Sequence, residues 1–345
     1  MNVAAAFRAQ AELCAELGSP FTARLCTLLA DGLAPGDPVS DRVLGWPGEP
    51  SNRGDALPLR LAGALHGLVL EGRDAGLAAV YPPHAASDAA LRAAVFAAMA
   101  AHAAFILGRL DGPPQTNEVQ RSAALAPGFL TVAGLTGLPL AISELGASAG
   151  LNMVWDRFAY RFGPAAWGDP ASAVRLAPAW EGPTPPLVAA RVAERAGCDR
   201  EPVDVGREAD RLRLVSFVWA DQAARLARIA AAVELARAAG IGVERADADD
   251  WLAGRLAVPR PGRAHVVCHS VLWTYLGEAA REAIGDGLAA AGARATAGAP
   301  LAWLRLEADG VEPGPALSLT LWPGGETRVL ARADFHCNRV RWAGW

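Results

Sequence analysis

Leu140-Ala141-Ile142-Ser143-Glu144-Leu145-Gly146-Ala147-Ser148-Ala149-Gly150-Leu151-Asn152 is the stretch on which the fold turns. A short apolar run ends in an acid, Glu144, and Gly146 and Gly150 then bracket a turn that opens a helical segment. A parallel α/β sheet builds a nucleotide crevice in this way. Glycines let the backbone approach the ligand, helix N-terminal amides face it, and a carboxylate at the strand end can hold a ribose. The same residues also spell Gly-x-Ser-x-Gly, the strand-to-helix elbow of serine hydrolases, with Ser148 as the nucleophile. Acids and His269 or His336 follow it in the order such a triad requires. Against that, the elbow normally follows several strands, no His-Gly-Gly-Gly segment precedes it, and Leu140–Leu145 is the first strand the pattern supports.

Upstream of this stretch the chain reads as helices. Val3, Phe7, Cys14 and Leu17 recur at near-helical spacing, Ser19-Pro20 suits a cap and first turn, and Leu57–Glu71 forms another candidate. Ser87-Asp88 caps a longer helix carrying Leu91, Val95, Phe96, Met99 and Ile106. Residues 31–54, rich in Pro, Gly and Asp, read as loop. Downstream, strands alternate with helices. A second strand precedes Asp199, Ile241–Ala246 and His265–Ser270 are the third and fourth, and Leu301–Leu306 is the fifth. An amphipathic helix covers Gln222–Ala239, and residues 155–186 read as an insertion with a hairpin around Tyr160–Phe162. Leu317–Leu321 and Arg328–Ala331 flank Trp322-Pro323-Gly324-Gly325, the turn of a terminal hairpin. The alternation predicts an α/β fold with a mostly parallel sheet and an antiparallel edge, preceded by an all-helical region. The domain reading is 1–114 for the helices and 115–345 for the α/β part.

Composition narrows the function classes. The chain has 345 residues, 52% hydrophobic and 20% charged, enough for a large core. All 32 basic residues are Arg, against 36 acids, and the net charge of −4 disfavours a nucleic-acid groove. Five cysteines without a Cys-x-x-Cys pair point to a reducing cytoplasm. Arg8, Glu12 and Glu16 interrupt any signal peptide, and Ala93–Leu107 is too short to span a bilayer, so neither secretion nor a membrane is expected. His265 and His269 share one strand face, but a zinc site needs three or four ligands, so no metal is expected.

The order of elements is similar to the S-adenosylmethionine-dependent methyltransferase fold, a Rossmann-like sheet with a glycine turn after its first strand and a hairpin at its end. Nearly the whole chain also resembles a bacterial domain-of-unknown-function family, number two-three-three-two. The residues that carry this second likeness are Gln115-Thr116-Asn117-Glu118, Glu144 to Asn152, Trp219-Ala220-Asp221-Gln222, His269-Ser270-Val271-Leu272-Trp273-x-Tyr275-Leu276, and Leu319-x-Leu321-Trp322-Pro323-Gly324-Gly325.

The methyltransferase likeness implies S-adenosylmethionine as cofactor and a small molecule as methyl acceptor. It places Glu144, Gly146, Ser148, Gly150 and Asn152 at the methionine part, Asp199 at the ribose hydroxyls, and Asp247 and Ala248 at the adenine. His269 and Glu118 become candidate bases, and Asn117, Arg121, Ser270 and Trp273 candidate substrate contacts. Ser148 replaces the middle glycine usual in that turn. Several of these residues have structural readings as well. Asp199 and Asp247 could be solvated loop acids, and the histidines could be core residues holding hydrogen bonds. Asn117 could cap a helix, paired with Gln120 in a capping-box pattern. Trp155 and Trp273 follow strand ends, where an aromatic side chain would flank a pocket. Two other functions stay open: a methyltransferase-like binding module without turnover, and the Ser148 hydrolase.

Overall fold

A computed structural model describes residues 1–312 and 314–345. The chain forms two compact units, one of residues 1–116 and 207–227, the other of 117–206 and 228–345.

The first unit is helical. Its helices begin where short polar side chains can accept from otherwise unbonded backbone amides. Asn2 caps Val3–Glu16, Ser19 caps Pro20–Gly32, Asp74 caps Ala75–Ala78 and Ser87 caps Asp88–Ala101. The helix Leu57–Leu70 is buried over most of its length, and leucines and valines from the surrounding helices close around it. Its Arg60 is buried too, with its guanidinium spent on the carbonyls of Asp55 and Leu110 at 2.6 and 2.9 Å.

Two helix expectations need correction. The stretch 31–54 contains a helix, Pro38–Leu44, started by Asp37 as cap and proline at the first position. The long helix from Ser87 breaks at His102 into Asp88–Ala101 and Ala103–Leu110, bent by 88°. Among the described residues no single helix is long and apolar enough to cross a membrane. Asp221, from the Trp-Ala-Asp-Gln landmark, accepts from Ser19 Oγ at 2.5 Å and from the Phe21 amide at 2.8 Å. It therefore pins the start of Pro20–Gly32.

The second unit holds the strands: β1 (Leu140–Leu145), β2 (Ala159–Phe162), β3 (Ala165–Gly168), β4 (Arg175–Leu176), β5 (Ala179–Glu181), β6 (Val192–Asp199), β7 (Glu244–Arg245), β8 (Ala264–Ser270), β9 (Leu301–Glu307), β10 (Ala316–Trp322), β11 (Glu326–Ala333) and β12 (Arg339–Trp342). Among the described residues nine form one sheet in the order β5-β12-β11-β10-β9-β8-β1-β6-β7. Pairing is parallel from β9 through β8, β1 and β6 to β7, and again between β12 and β5. It is antiparallel from β9 to β12, with β10 and β11 forming the terminal hairpin. The protein is thus an α/β fold with a large, mostly parallel sheet that also carries antiparallel strands.

β1 is buried at every position, as a central strand covered on both faces must be. The helix Ser122–Thr136 covers one face, and Gly128 lets it come so close that a Cβ there would lie 2.6 Å from Leu304. Helices Ala248–Leu256 and Glu278–Gly292 cover the other through Leu145, Cys198, Leu252, Val267, Ile284 and Leu288. The third expected strand shrinks to two exposed residues, Glu244 and Arg245, while Ile241 and Val243 lie over Gly150.

The insertion does contain the expected hairpin, β2–β3, to which β4 adds in parallel. Trp155 is fully buried there, stacked between Phe129 and Trp167 at 4.8 and 5.3 Å, so it is a packing residue. The insertion also supplies β5 to the far edge of the main sheet.

Candidate functional site

The chain lays β6 and β7 on one side of β1 and then returns to place β8 and β9 on the other. Ligands of open α/β sheets bind outside the carboxyl ends of the two strands at such a reversal. Here those ends are Glu144-Leu145 and His269-Ser270. In register, Glu144 lies beside Gly197 of β6 and Cys268 of β8, so these residues share the sheet face covered by Ser122–Thr136.

Glu144 is 4% exposed and, among the described residues, has no hydrogen-bond or ion-pair partner. Burial pushes its carboxyl up to about 8. The positive charge of Arg121 works against that rise, and the negative charge of Asp199 adds to it.

The glycine turn is tightly built. Gly146 and Gly150 have φ of +64° and +70°, which suits glycine. A Cβ on Gly146 would meet Leu272 at 2.7 Å, and one on Gly150 would meet Ile241 at 2.6 Å. Side chains of the neighbouring loops therefore cover both glycines. Ser148 takes φ +53°, and its buried hydroxyl has no partner among the described residues.

Two expected ligand contacts hold this turn from outside. Asp199 accepts the Ser148 amide on Oδ2 and the Glu201 amide on Oδ1, both at 2.9 Å. Asn117 accepts the Leu151 amide at 2.8 Å, at the start of the 3₁₀ helix Leu151–Arg157. Asn117 does cap a helix, but one distant in sequence. The cap of the local 3₁₀ turn Val119–Arg121 is Glu118, whose carboxylate accepts the Gln120 amide at 3.0 Å. Asn152 is buried, bonded to Ser122 Oγ and to the Glu118 carbonyl at 2.7 and 3.3 Å.

His269 lies on the opposite face from Glu144. Its Nδ1 donates to Glu307 at 2.7 Å, and its Nε2 accepts from Trp303 at 3.0 Å. Its ring stacks on Trp273 at 5.0 Å. Glu307 also accepts the amides of Leu272 and Trp273, at 2.9 and 3.2 Å. Both imidazole nitrogens are thus engaged, and the His269–Glu307 pair anchors the loop whose Leu272 roofs Gly146. Sequence reasoning missed Glu307, since a single acid ending the fifth strand carries no motif.

Arg121, at the N-terminal end of Ser122–Thr136, donates from Nε to the Phe335 carbonyl and from Nη1 to the Ser270 carbonyl, at 3.3 and 3.2 Å. Burial lowers its guanidinium from the usual arginine range, while Cys337, Glu118 and Glu307 oppose that. Asp247 immediately precedes the helix that starts at Ala248 and pairs with Arg200 at the surface. The structure thus brings Glu144, Asp199, the glycine turn, Asn117, Asn152, Arg121 and Ser270 around the ends of β1, β6 and β8. Asp247 and Ala248 stand further out, past the edge strand β7.

No curated protein and no solved structure matches the chain. A family model described as "Uncharacterized protein conserved in bacteria (DUF2332)" matches residues 4–342, which is nearly the full length. The chain belongs to this bacterial family.

Proposed function

We propose that the chain is a Rossmann-like, S-adenosylmethionine-dependent methyltransferase acting on a small molecule. The observation that carries this is Glu144: a buried carboxyl with no partner among the described residues, next to a glycine turn, at the reversal of strand order. Buried polar groups in native proteins are normally bonded, so one that is not calls for a ligand.

The acids at these strand ends support the cofactor reading, although Leu272 and Ile241 lie over the two glycines of the turn. Glu144 can receive a cationic group. Asp199 can accept ribose hydroxyls while it fixes the Ser148 amide, since each carboxylate oxygen takes more than one hydrogen bond. The cofactor would supply a methyl group made electrophilic by its sulfonium. The protein's share is then alignment and exclusion of water, and orientation can lower such a barrier by about 7–11 kcal/mol. In this proposal His269 positions rather than abstracts, because with Glu307 it holds the loop over Gly146. Glu118, which accepts the Gln120 amide and lies 3.9 Å from Arg228 Nη1, is the candidate base for an acceptor that must lose a proton.

The test is calorimetric titration with S-adenosylhomocysteine, the demethylated product. Wild type should bind, and Glu144→Ala and Asp199→Ala should each weaken binding roughly tenfold or more. Absence of binding to wild type overturns the proposal. Binding without turnover over a broad acceptor panel would instead favour a non-catalytic module. A second reading rests on Ser148, whose partnerless hydroxyl and positive φ suit a nucleophile at a strained elbow. Covalent labelling of Ser148 by a fluorophosphonate would favour it.

A further inference from the structure

At the amino ends of β8 and β9, the opposite rim from Glu144, positive charge outnumbers negative. Arg255, Arg260 and Arg263 share one carboxylate, Glu194, at 2.5, 3.5 and 3.1 Å. Arg294 adds a fourth guanidinium. It donates to the carbonyls of Leu256 and Ala290, both at 3.1 Å, in the last turns of the helices Ala248–Leu256 and Glu278–Gly292. No carboxylate among the described residues pairs with it.

His265 adds no charge. Arginine can only donate, so His265 Nδ1 accepts from Arg260 at 3.4 Å and the neutral ring donates from Nε2 to Ser143 at 2.9 Å. Each helix C-terminus supplies about half a negative charge. Together with Glu194 they answer about two of the four positive charges and leave about two unanswered. Arg260 registers the excess: burial first, and then the neighbouring Arg255, lowers its guanidinium from the usual arginine range, with Glu194 opposing.

A cleft opens beside these groups. The loops that lead from the two helices into β8 and β9 enclose about 330 Å³, open mouth included. Arg260, Arg294 and His265 form its polar wall, and Val258, Pro259 and Leu301 belong to its apolar wall. Val258 is 70% exposed, so apolar surface lies open next to the excess charge. Ligand pockets run from about 300 to 1,000 Å³, which puts this one at the size of a single ring or a short chain.

We propose that this cleft binds a small organic anion, with its acidic group on Arg260 and Arg294 and its apolar part against Val258, Pro259 and Leu301. A guanidinium has five N–H donors, and Arg294 spends two of them on the helix ends, so it can hold the anion without giving up its structural bonds. The acidic group is a carboxylate or a phosphate, which meet arginine through the same charge-assisted hydrogen bonds. The site stands or falls independently of the cofactor proposal at the other rim.

Calorimetric titration of the full chain with benzoate, phenyl phosphate, benzamide and inorganic phosphate tests it. One of the two aromatic anions should bind, and neutral benzamide should bind roughly tenfold more weakly or worse. The tighter of the two anions names the acidic group. Arg294→Gln, a change at an exposed residue, should weaken that anion roughly tenfold. Glu194→Gln, which removes the competing carboxylate, should tighten it severalfold. The proposal is overturned if neither aromatic anion binds, if benzamide matches them, or if Arg294→Gln leaves their affinity unchanged. Inorganic phosphate binding as tightly as phenyl phosphate and benzoate overturns the organic class of the ligand. Should Glu194→Gln not fold, the four probes on wild type and on Arg294→Gln still decide.

Discussion

Ser143 and Glu144 are neighbours on β1 and face opposite sides of one sheet, and their surroundings contrast. On the Ser143 side Ser143, His265, Glu194, Arg255, Arg260 and Arg263 form one bonded cluster. Ser143 Oγ meets His265 Nε2 at 2.9 Å and Arg255 Nε at 3.0 Å. Arg255, Arg260 and Arg263 converge on Glu194. His265 is pushed down to about 3 by burial and by the two nearest arginines, so it is a neutral member of the cluster. Further along the same face, His269, Trp303 and Glu307 bond one another. On the Glu144 side the buried Glu144 carboxyl has no partner among the described residues.

The largest expected effect breaks the bonded side. His269→Ala removes the partner of a buried carboxylate, and losing one member of a buried pair costs about 3–5 kcal/mol. Denaturant unfolding should show that loss. A loss under about 1 kcal/mol, together with impaired turnover, would return His269 to the role of base.

The next effect belongs to the open side and has the opposite sign. The Glu144 carboxyl is raised in the folded protein, so from its ordinary value near 4.5 up to about 8 the folded state holds a proton that the unfolded chain has lost. Wild-type stability should therefore fall with rising pH through this window, by at most ~1.4 kcal/mol per pH unit from this group. Glu144→Gln removes that contribution. The variant should converge with wild type below the window, gain on it through the window, and hold a constant advantage above pH 8. Parallel pH profiles of unfolding free energy would show that Glu144 is not the protonated, unpartnered acid described here.

The smallest effect sharpens the boundary between the two sides. Asn117→Ala removes the acceptor of the Leu151 amide, and loss of a cap costs about 0.5–2 kcal/mol. Hydrogen exchange at Leu151 should accelerate while that at Gln120 does not, because Glu118 holds Gln120. Unchanged protection at Leu151 would contradict the cap.

Much of this was legible in the residues. The strand β1, its glycine turn, the fourth and fifth strands and the terminal hairpin follow from apolar runs bounded by Gly and Pro. Glu144 was legible because an acid closing an apolar strand is costly without a purpose. The helix Pro38–Leu44 was missed because Gly and Pro outweighed a valid Asp-Pro start. The role of Asn117 was misplaced because its partner, Leu151, lies 34 residues away. Arg121 and His269 could be picked out, but not what their nitrogens touch, since Phe335, Ser270, Trp303 and Glu307 come from distant segments.

The amino-acid order by itself determined that an apolar strand, an acid and a pair of glycines follow one another at Leu140–Gly150, because local sterics and burial act on neighbours in sequence. It also determined the helical character of the first third, through caps and apolar spacing. Only the tertiary structure decided which polar groups are spent and which are open. Hydrogen bonds between β1, β8, β9 and the helix Ser122–Thr136 join residues far apart in the chain, and their geometry exists only once the sheet has assembled.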